Sequence, residues 1–464
     1  MVGRRRRGFG PQPARDVFGG RGLVDDADVE AALAQQAQLL TASGFAVRGL
    51  AVRHLGAQLV HRGEQPVVAD TRWYAEEDFQ HSWVMTFSGA RYMPGIELSR
   101  VLYEEAVRPL LGEVLPGLRY AAARVGSGSE VLGFDTPRSA DHEWGPRLQI
   151  FLTAQDHAQH GADIRRMLAE RLPKQVRGWP THFQERDDPL DPVGRMQLTD
   201  GPVSHRVDVY DVDGWLAEQL GLRTAETDLS VREWLAMPQQ RLAETTGGAV
   251  FHDELGTLTD RRRRLEWYPE QVWRYLLACQ WQRVSQEEAF VGRCAEVGDD
   301  IGSAVVAARL VRDLMRLCLL LERRYAPYGK WLGSAFGRLP VAESLTPALR
   351  GVLTATDYPT REAHLCDAYE AVASLQNTSG LITPMDPKRR RYHSRPFLVL
   401  HAERFAQALA RTVTDPDLCT LPLVGSVDQW ADSTDLLTRP HVIRATTRAV
   451  GRTVTGSSAI GVVS

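Results

Sequence analysis

Lysine is almost missing from this sequence. Among its 464 residues only Lys174, Lys330 and Lys388 are lysines, against 55 lysines and arginines together, so nearly every cation is a guanidinium. A guanidinium holds its charge at any working pH and hydrogen-bonds through a planar fork. Cysteine is as sparse: Cys279, Cys294, Cys318, Cys366 and Cys419 are odd in number and contain no C-x-x-C pair. That excludes a zinc pattern and a disulfide framework, and it fits a reducing cytoplasm. No stretch has the length of a membrane span, and the arginines of MVGRRRRGFG have no apolar run after them, so neither a membrane partner nor an export signal is read. An excess of charge of one sign is lacking too. The formal net charge of -3 gives no overall footprint for nucleic acid, and no basic patch interleaved with aromatics stands out. Repeats of solenoid length are absent.

What remains is ordinary for a globular chain, with 43% hydrophobic and 24% charged residues and length for two or three domains. Residues 1 to about 27, with the run Arg4 to Arg7, read as a disordered lead, and DADVEAALAQQAQLL as an amphipathic helix after it. Residues 1–92 are taken as an N-terminal extension or, alternatively, as lying upstream of a true start at Met93; native peptides mapping before Met93 would dismiss the second reading. From Met93 the pattern sharpens. GIELSRVLYEEAVRPLL has helical spacing, YAAARV and HRVDVYDV read as strands, and DHEWGPRLQIFLTA as another. GADIRRMLAERLP reads as a helix and RDDPLDPVG as a loop. These make an α+β portion over 93–240. Long apolar-periodic helices broken at Gly298 and Pro327 predict a helical bundle over 241–340, and further helices with a loose tail fill 341–464.

The chemistry concentrates in VGSGSEVLGFDTPRSADHEW. On a strand, residues two apart share a face, so Asp141 and Glu143 are expected side by side with His142 turned away. Two such carboxylates repel unless a cation intervenes, and magnesium takes a few carboxylate oxygens together with substrate phosphates. Gly126, Ser127, Gly128 and Ser129 supply turns whose N–H groups and hydroxyls can approach a phosphate. A third carboxylate is offered by Asp208, which shares a strand face with Arg206 and Tyr210, while Asp211 on the other face competes with it.

A Gly-Ser turn, an acid-x-acid pair and a later third acid resemble the signature of the DNA polymerase β-like nucleotidyltransferase superfamily. Eleven residues separate Ser129 from Asp141, and thirteen separate Ser127 from it. Together with FDTPRSADHEWGPR, GGAVFHDELG, QEEAFVGRC and RYAPYGKWLGSAF, the chain resembles the uncharacterised bacterial domain-of-unknown-function family 4037 from about Met93 to Leu437. His142 departs from the apolar residue usual there, and the doubled Gly-Ser leaves two turns to choose between, Gly128-Ser129 being preferred.

The resemblance implies an α+β/α fold, a small mixed-sheet nucleotidyltransferase domain followed by a helical bundle similar to that of kanamycin nucleotidyltransferase. It also implies magnesium on Asp141, Glu143 and Asp208, and a nucleoside triphosphate such as ATP, held at the Gly-Ser turn, as donor. A bundle glutamate, Glu288 or Glu287, is expected to take the proton of an acceptor hydroxyl. The acceptor itself is unnamed. Lys330 is either a point charge for the triphosphate or an interfacial residue packed on Trp331. The set Arg309, Asp313 and Arg316 is expected to pair within its helix, and Asp428, Asp432 and Asp435 to be structural, since the order and glycine of a calcium loop are absent. In TTGGAVFHDELG, His252 is expected to cap a turn. The rival to an enzyme is a catalytically inactive nucleotide-binding or regulatory protein on the same fold.

Overall fold

The computed structural model describes residues 91–141, 143–184, 194–222 and 229–453. The helix expected at DADVEAALAQQAQLL, the Arg4 to Arg7 run, His142, most of RDDPLDPVG and the last eleven residues lie outside the described residues, as does the side chain of Asp141.

The segment GIELSRVLYEEAVRPLL is helical in three pieces: α1 (Gly95–Leu102), a π-helical turn (Tyr103–Val107) and α2 (Arg108–Val114). Pro109 has no N–H and crowds the carbonyl four residues back, and the wider turn comes just before it. Next come β1 (Ala121–Arg124), β2 (Arg147–Leu152), α3 (Ala154–Arg171) and β3 (Arg206–Asp211). β2 is antiparallel to β1 and parallel to β3, and α3 is the crossover that a parallel pair requires. A fourth strand, β4 (Ala249–Asp253), pairs with the outer side of β1, giving a mixed sheet in the order β3-β2-β1-β4.

Two expectations change here. The sheet does not close near residue 240, because β4 lies beyond it. Nor does the strand begin at Asp141. Pro137–Asp141 is a 3-10 turn, Glu143 has φ 43, and β2 begins only at Arg147. Trp144 is drawn into a small separate core with Leu98, Trp179, Phe183 and Met196. Gly145, at φ 150 with no room for a Cβ beside Met196, and Pro146, which cannot donate to a ladder, then turn the chain into the sheet. Asp141 and Glu143 therefore share no strand face.

The sheet has a core on each side. Ala122, Leu148, Ile150, Val207 and Val209 pack under α1, α2 and α3 with Leu102, Val107, Leu111, Ile164 and Leu168. Ala121, Ala123, Val125 and Phe151 face the other way, against Trp215 of α4 (Val212–Leu220), and merge with the core of the helical half. The alternation in β3 is as read from sequence: Val207 and Val209 are buried, and Arg206, Asp208 and Tyr210 take the opposite face.

After α5 (Val231–Ala236) and α6 (Gln239–Thr246), α7 (Thr257–Arg264) follows β4. The helical half is built on α8 (Glu270–Glu287), α9 (Phe290–Glu296), α10 (Asp300–Leu321), α11 (Gly329–Phe336), α12 (Ala342–Thr354), α13 (Tyr358–Thr378) and α14 (Glu403–Ala410), with breaks spanning Gly298 and Pro327. Leu276, Trp281, Leu310, Leu314, Leu317, Tyr369 and Val372 lie in its core. Trp281 stacks on Phe405 at 4.8 Å and donates to Gln376 Oε1 at 2.9 Å, so its one polar atom is satisfied. Short helices α15 (Pro416–Cys419), α16 (Val427–Trp430) and α17 (Thr434–Leu437) lead into α18 (Pro440–Thr453), which reaches into the expected loose tail.

The α10 charges pair between elements, not within the helix: Arg309 with Glu287 at 2.7 Å, Asp313 with Arg283 at 3.0 Å, and Arg316 with the Asp428 carbonyl at 2.7 Å. His252 caps nothing. It lies against the rings of Tyr120 and Tyr103, and Asp253 accepts the Gly256 and Thr259 N–H groups instead. No helix among the described residues is long and apolar enough to cross a membrane.

Candidate functional site

β1 ends in a charged residue that has no access to water. Arg124 is 0% exposed, and its guanidinium bonds Glu130 Oε1 at 2.5 and 2.8 Å, the Val125 carbonyl at 2.7 Å and the Ser127 carbonyl at 2.5 Å. The loop Val125–Glu130 is thus wound around one buried side chain. Its other supports are the Gly126 N–H to the Glu244 carbonyl of α6 at 2.9 Å and the Val125 N–H to Gln149 Oε1 at 3.0 Å. With the carbonyls turned to Arg124, the N–H groups of Ser127, Gly128, Ser129 and Glu130 and both serine hydroxyls make no hydrogen bond to another described residue.

Gly128 has φ 147, and a Cβ there would lie 2.4 Å from Arg124 Nη2 and 2.7 Å from the Glu130 oxygens. Gly128→Ala is therefore expected to cost about 1–3 kcal/mol and to displace the loop. Ligand binding at the loop should fall further than the unfolding midpoint does; equal binding by the variant would show that the loop is not a contact surface.

The loop opens into a cleft of about 780 Å³. One wall carries Ser127, Gly128, Ser129, Glu130, Glu143 and Arg147; the other carries Gln240, Glu244, Arg316, Tyr328, Lys330, Trp331 and Asp428. α6 knits the second wall: Gln240 Oε1 accepts the Tyr328 N–H at 2.9 Å, Gln239 Oε1 that of Ala326 at 2.8 Å, and Asp428 Oδ2 that of Gln239 at 3.0 Å. The walls also meet directly. Phe134 stacks on Trp331 at 5.1 Å, Arg338 lies 4.0 Å over Phe134, and its Nη1 donates to the Leu132 carbonyl at 2.9 Å. Lys330 lines the cleft wall with its ammonium 4.9 Å from the Trp331 ring, the packing that was one of its two expected roles.

Of the three expected metal carboxylates, two have side chains among the described residues, those of Glu143 and Asp208. The Asp141 side chain is outside the described residues. Glu143 Oε1 accepts the Gly194 N–H at 2.8 Å, and its carboxylate faces the Arg206 guanidinium at 3.3 Å. Burial pushes the Glu143 carboxyl up, but Arg206 and the Gly194 amide outweigh it and hold the pKa below the usual value. Asp208 is exposed on β3 in register with Gln149 and does not line the cleft. Among the described residues no group of three His, Cys, Asp or Glu side chains is placed to hold a metal ion. A guanidinium occupies this region instead. Arg147 Nη1 donates to the Glu143 carbonyl at 2.8 Å and lies 3.9 Å from Glu130 Oε1. Burial and Arg124 push its pKa down to about 10, while Glu130, Glu143 and Asp208 hold it up. The described side chains do not by themselves make a site for a divalent cation.

Glu287 and Glu288 lie elsewhere than in the cleft wall. Glu287 pairs with Arg309, and Glu288 accepts the N–H groups of Leu400, His401 and Ala402 at 2.8, 3.2 and 2.9 Å, a brace for the chain entering α14. Two carboxyl residues line the opposite wall of the cleft, Glu244, which is paired with Arg241, and Asp428, whose backbone carbonyl holds Arg316. The second has a shifted titration. Burial pushes its pKa up to about 6 against the pull of Arg316. Asp432 pairs with Arg312 at 2.9 Å, as a structural residue should.

Sequence reasoning did not single out Arg124, Glu130, Asp135, Arg147 and Glu244, and it gave Asp428 a structural role. One signal was present: an arginine ending an alanine strand, with a glutamate six residues later. Asp135, within FDTP, accepts from Tyr92, from the Gly95 N–H and from Trp144 through one oxygen, at 3.1, 2.7 and 3.1 Å. It ties the loop after β1 to the start of α1.

Residues 234–332 match the family described as Domain of unknown function (DUF4037). The DUF4037 match takes in GGAVFHDELG, QEEAFVGRC and most of RYAPYGKWLGSAF, which carried the resemblance, and so holds α6, β4 and the Tyr328–Trp331 part of the cleft wall. FDTPRSADHEWGPR lies outside it. No curated protein matches the chain. Among solved structures, the chain is similar to a nucleotidyltransferase-like protein from Exiguobacterium sibiricum 255-15, at 10% identity and a TM-score of 0.29, over 67% of this chain and 89% of that one.

Proposed function

We propose that the protein is a nucleotidyltransferase which seats the phosphates of a nucleoside triphosphate on the Ser127–Glu130 loop and transfers the nucleoside monophosphate to a hydroxyl acceptor. The observation that carries this reading is the row of unused N–H and hydroxyl donors on a loop wound around Arg124, opening into a cleft that also presents Arg147 and Lys330. Preorganised donors of this kind bind anions with little reorganisation. In the transfer, the acceptor oxygen bonds to the α-phosphorus, the bond from that phosphorus to the bridging oxygen breaks, and pyrophosphate leaves with the electron pair. The acceptor's proton goes to Asp428, a carboxyl of the opposite wall with a pKa raised toward the working range of a base.

Calorimetry with each nucleoside triphosphate tests the binding, and pyrophosphate release over a panel of hydroxylated acceptors tests the transfer. Asp428→Asn keeps an oxygen for the Gln239 N–H. It is expected to leave binding intact and to slow release by about 10²-fold or more. Failure of the folded wild-type protein to bind any nucleoside triphosphate would overturn the reading.

A second reading, a nucleotide-binding or regulatory protein without turnover, is favoured by one observation: Arg206 and Gly194 already engage the Glu143 carboxylate. Tight binding with no pyrophosphate release from any acceptor would select it.

A further inference from the structure

We infer that the charge of the bound phosphates is met at this cleft by the Arg147 guanidinium, so that nucleotide binding needs no divalent cation. The inference rests on the nucleotide reading above and concerns how that site works. Arg147 is the first residue of β2, on the same strand face as Gln149, whose amide positions the end of β1. Of the three carboxylates that act on it, Glu130 is bonded to Arg124 at 2.5 Å and Glu143 faces Arg206 at 3.3 Å, while Asp208 is exposed on β3 and does not line the cleft. Arg147 itself reaches Glu130 only at 3.9 Å and spends one donor on the Glu143 carbonyl.

The Arg147 guanidinium thus has no ion-pair partner closer than 3.9 Å within the cleft wall. Its remaining donors make no hydrogen bond among the described residues, and 15% of its side chain stays accessible. A divalent ion brought to this position would meet a fixed like charge and, in Glu130 and Glu143, carboxylates already paired with guanidinium groups. A phosphate would meet a fork of donors beside the N–H groups of Ser127 to Glu130. The shortage of lysine and wealth of arginine in this chain takes a local form here: a cation that cannot move away by losing its proton.

Calorimetry of ATP binding decides the matter, run on the full chain once with EDTA and once with magnesium, for wild type, Arg147→Lys and Arg147→Ala. A thermal unfolding scan confirms that each variant is folded. Wild-type affinity in EDTA is expected within about 3-fold of that in magnesium, with Arg147→Ala weaker by about 10-fold or more and Arg147→Lys between them. Binding that appears only with magnesium, or that is unchanged in folded Arg147→Ala, overturns the inference and leaves the nucleotide reading standing. Absence of binding under both conditions overturns both. If Arg147→Ala does not fold, the EDTA measurement on wild type and Arg147→Lys decides alone.

Discussion

Glu130→Ala is expected to destabilise the protein by about 3–5 kcal/mol, more than any substitution of a cleft residue that contacts ligand alone. The reason lies with the partner left behind. Arg124 and Glu130 are 0% and 2% exposed, and removing the carboxylate leaves a guanidinium with no counter-charge and no route to water. Two loop carbonyls still bond to it, but they cannot cancel its charge. The double variant Arg124→Met with Glu130→Leu removes both charges together and is expected to recover most of the loss, because an apolar pair of similar volume carries no desolvation cost. Urea unfolding midpoints at constant slope measure both. The pair does more than stabilise, since the double variant, although folded, has lost the side chain around which the loop is wound. It should bind nucleotide poorly. A Glu130→Ala unfolding free energy within about 1 kcal/mol of wild type would mean that water reaches Arg124.

Glu288→Ala is expected to cost about 3 kcal/mol or more, through a different mechanism. Three backbone N–H groups, those of Leu400, His401 and Ala402, lose their acceptor, the first and last of them buried, and each buried unsatisfied donor costs about 1–3 kcal/mol. The same residue makes stability depend on pH. Burial pushes the Glu288 pKa up to about 7, with the Ala402 and Leu400 amides pulling it back. Because the folded value lies above the unfolded one, the folded state binds more protons between the two. This contribution is therefore intact below the ordinary glutamate range and is lost as pH rises toward 7. Glu288→Gln, which cannot titrate, should remove that slope from the difference between the two pH profiles. A wild-type-minus-Gln difference that is flat from pH 4 to 8 (~) would assign the slope to other groups.

The sequence made the local order legible and the long-range closures illegible. YAAARV and HRVDVYDV appear as β1 and β3 because alternation is a property of neighbouring residues, and the helix breaks follow from Gly298 and Pro327 for the same reason. β4 escaped notice because it is an edge strand, half-buried along its length, and its partner lies far upstream. The start of β2 was misplaced because Trp144 belongs to a small core with Trp179, Phe183 and Met196, which no spacing near Asp141 announces. The Gly-Ser loop was legible as a candidate, and Ser127, Gly128, Ser129, Glu143 and Lys330 do line one cleft. The brace made by Glu288 was not legible because its partners are residues 400–402, more than a hundred positions away.

The position of β4 also bears on how this protein can be divided. β4 lies in the sheet beside β1, yet it follows α6, and α6 both receives the Gly126 N–H through Glu244 and supports Tyr328 through Gln240. Gly248, at the entry to β4, passes so near the Arg124 carbonyl that a Cβ there would lie 2.0 Å from it. The chain therefore leaves the sheet, builds part of the opposite wall, and returns to complete the sheet before the long helices begin. A fragment cut near residue 240 would keep the Gly-Ser loop but lose its neighbouring strand, and one starting there would keep β4 with no strand to join. Exchange between relatives should accordingly succeed as a graft of the whole interlocked unit, and fail as a swap of a catalytic half for a binding half.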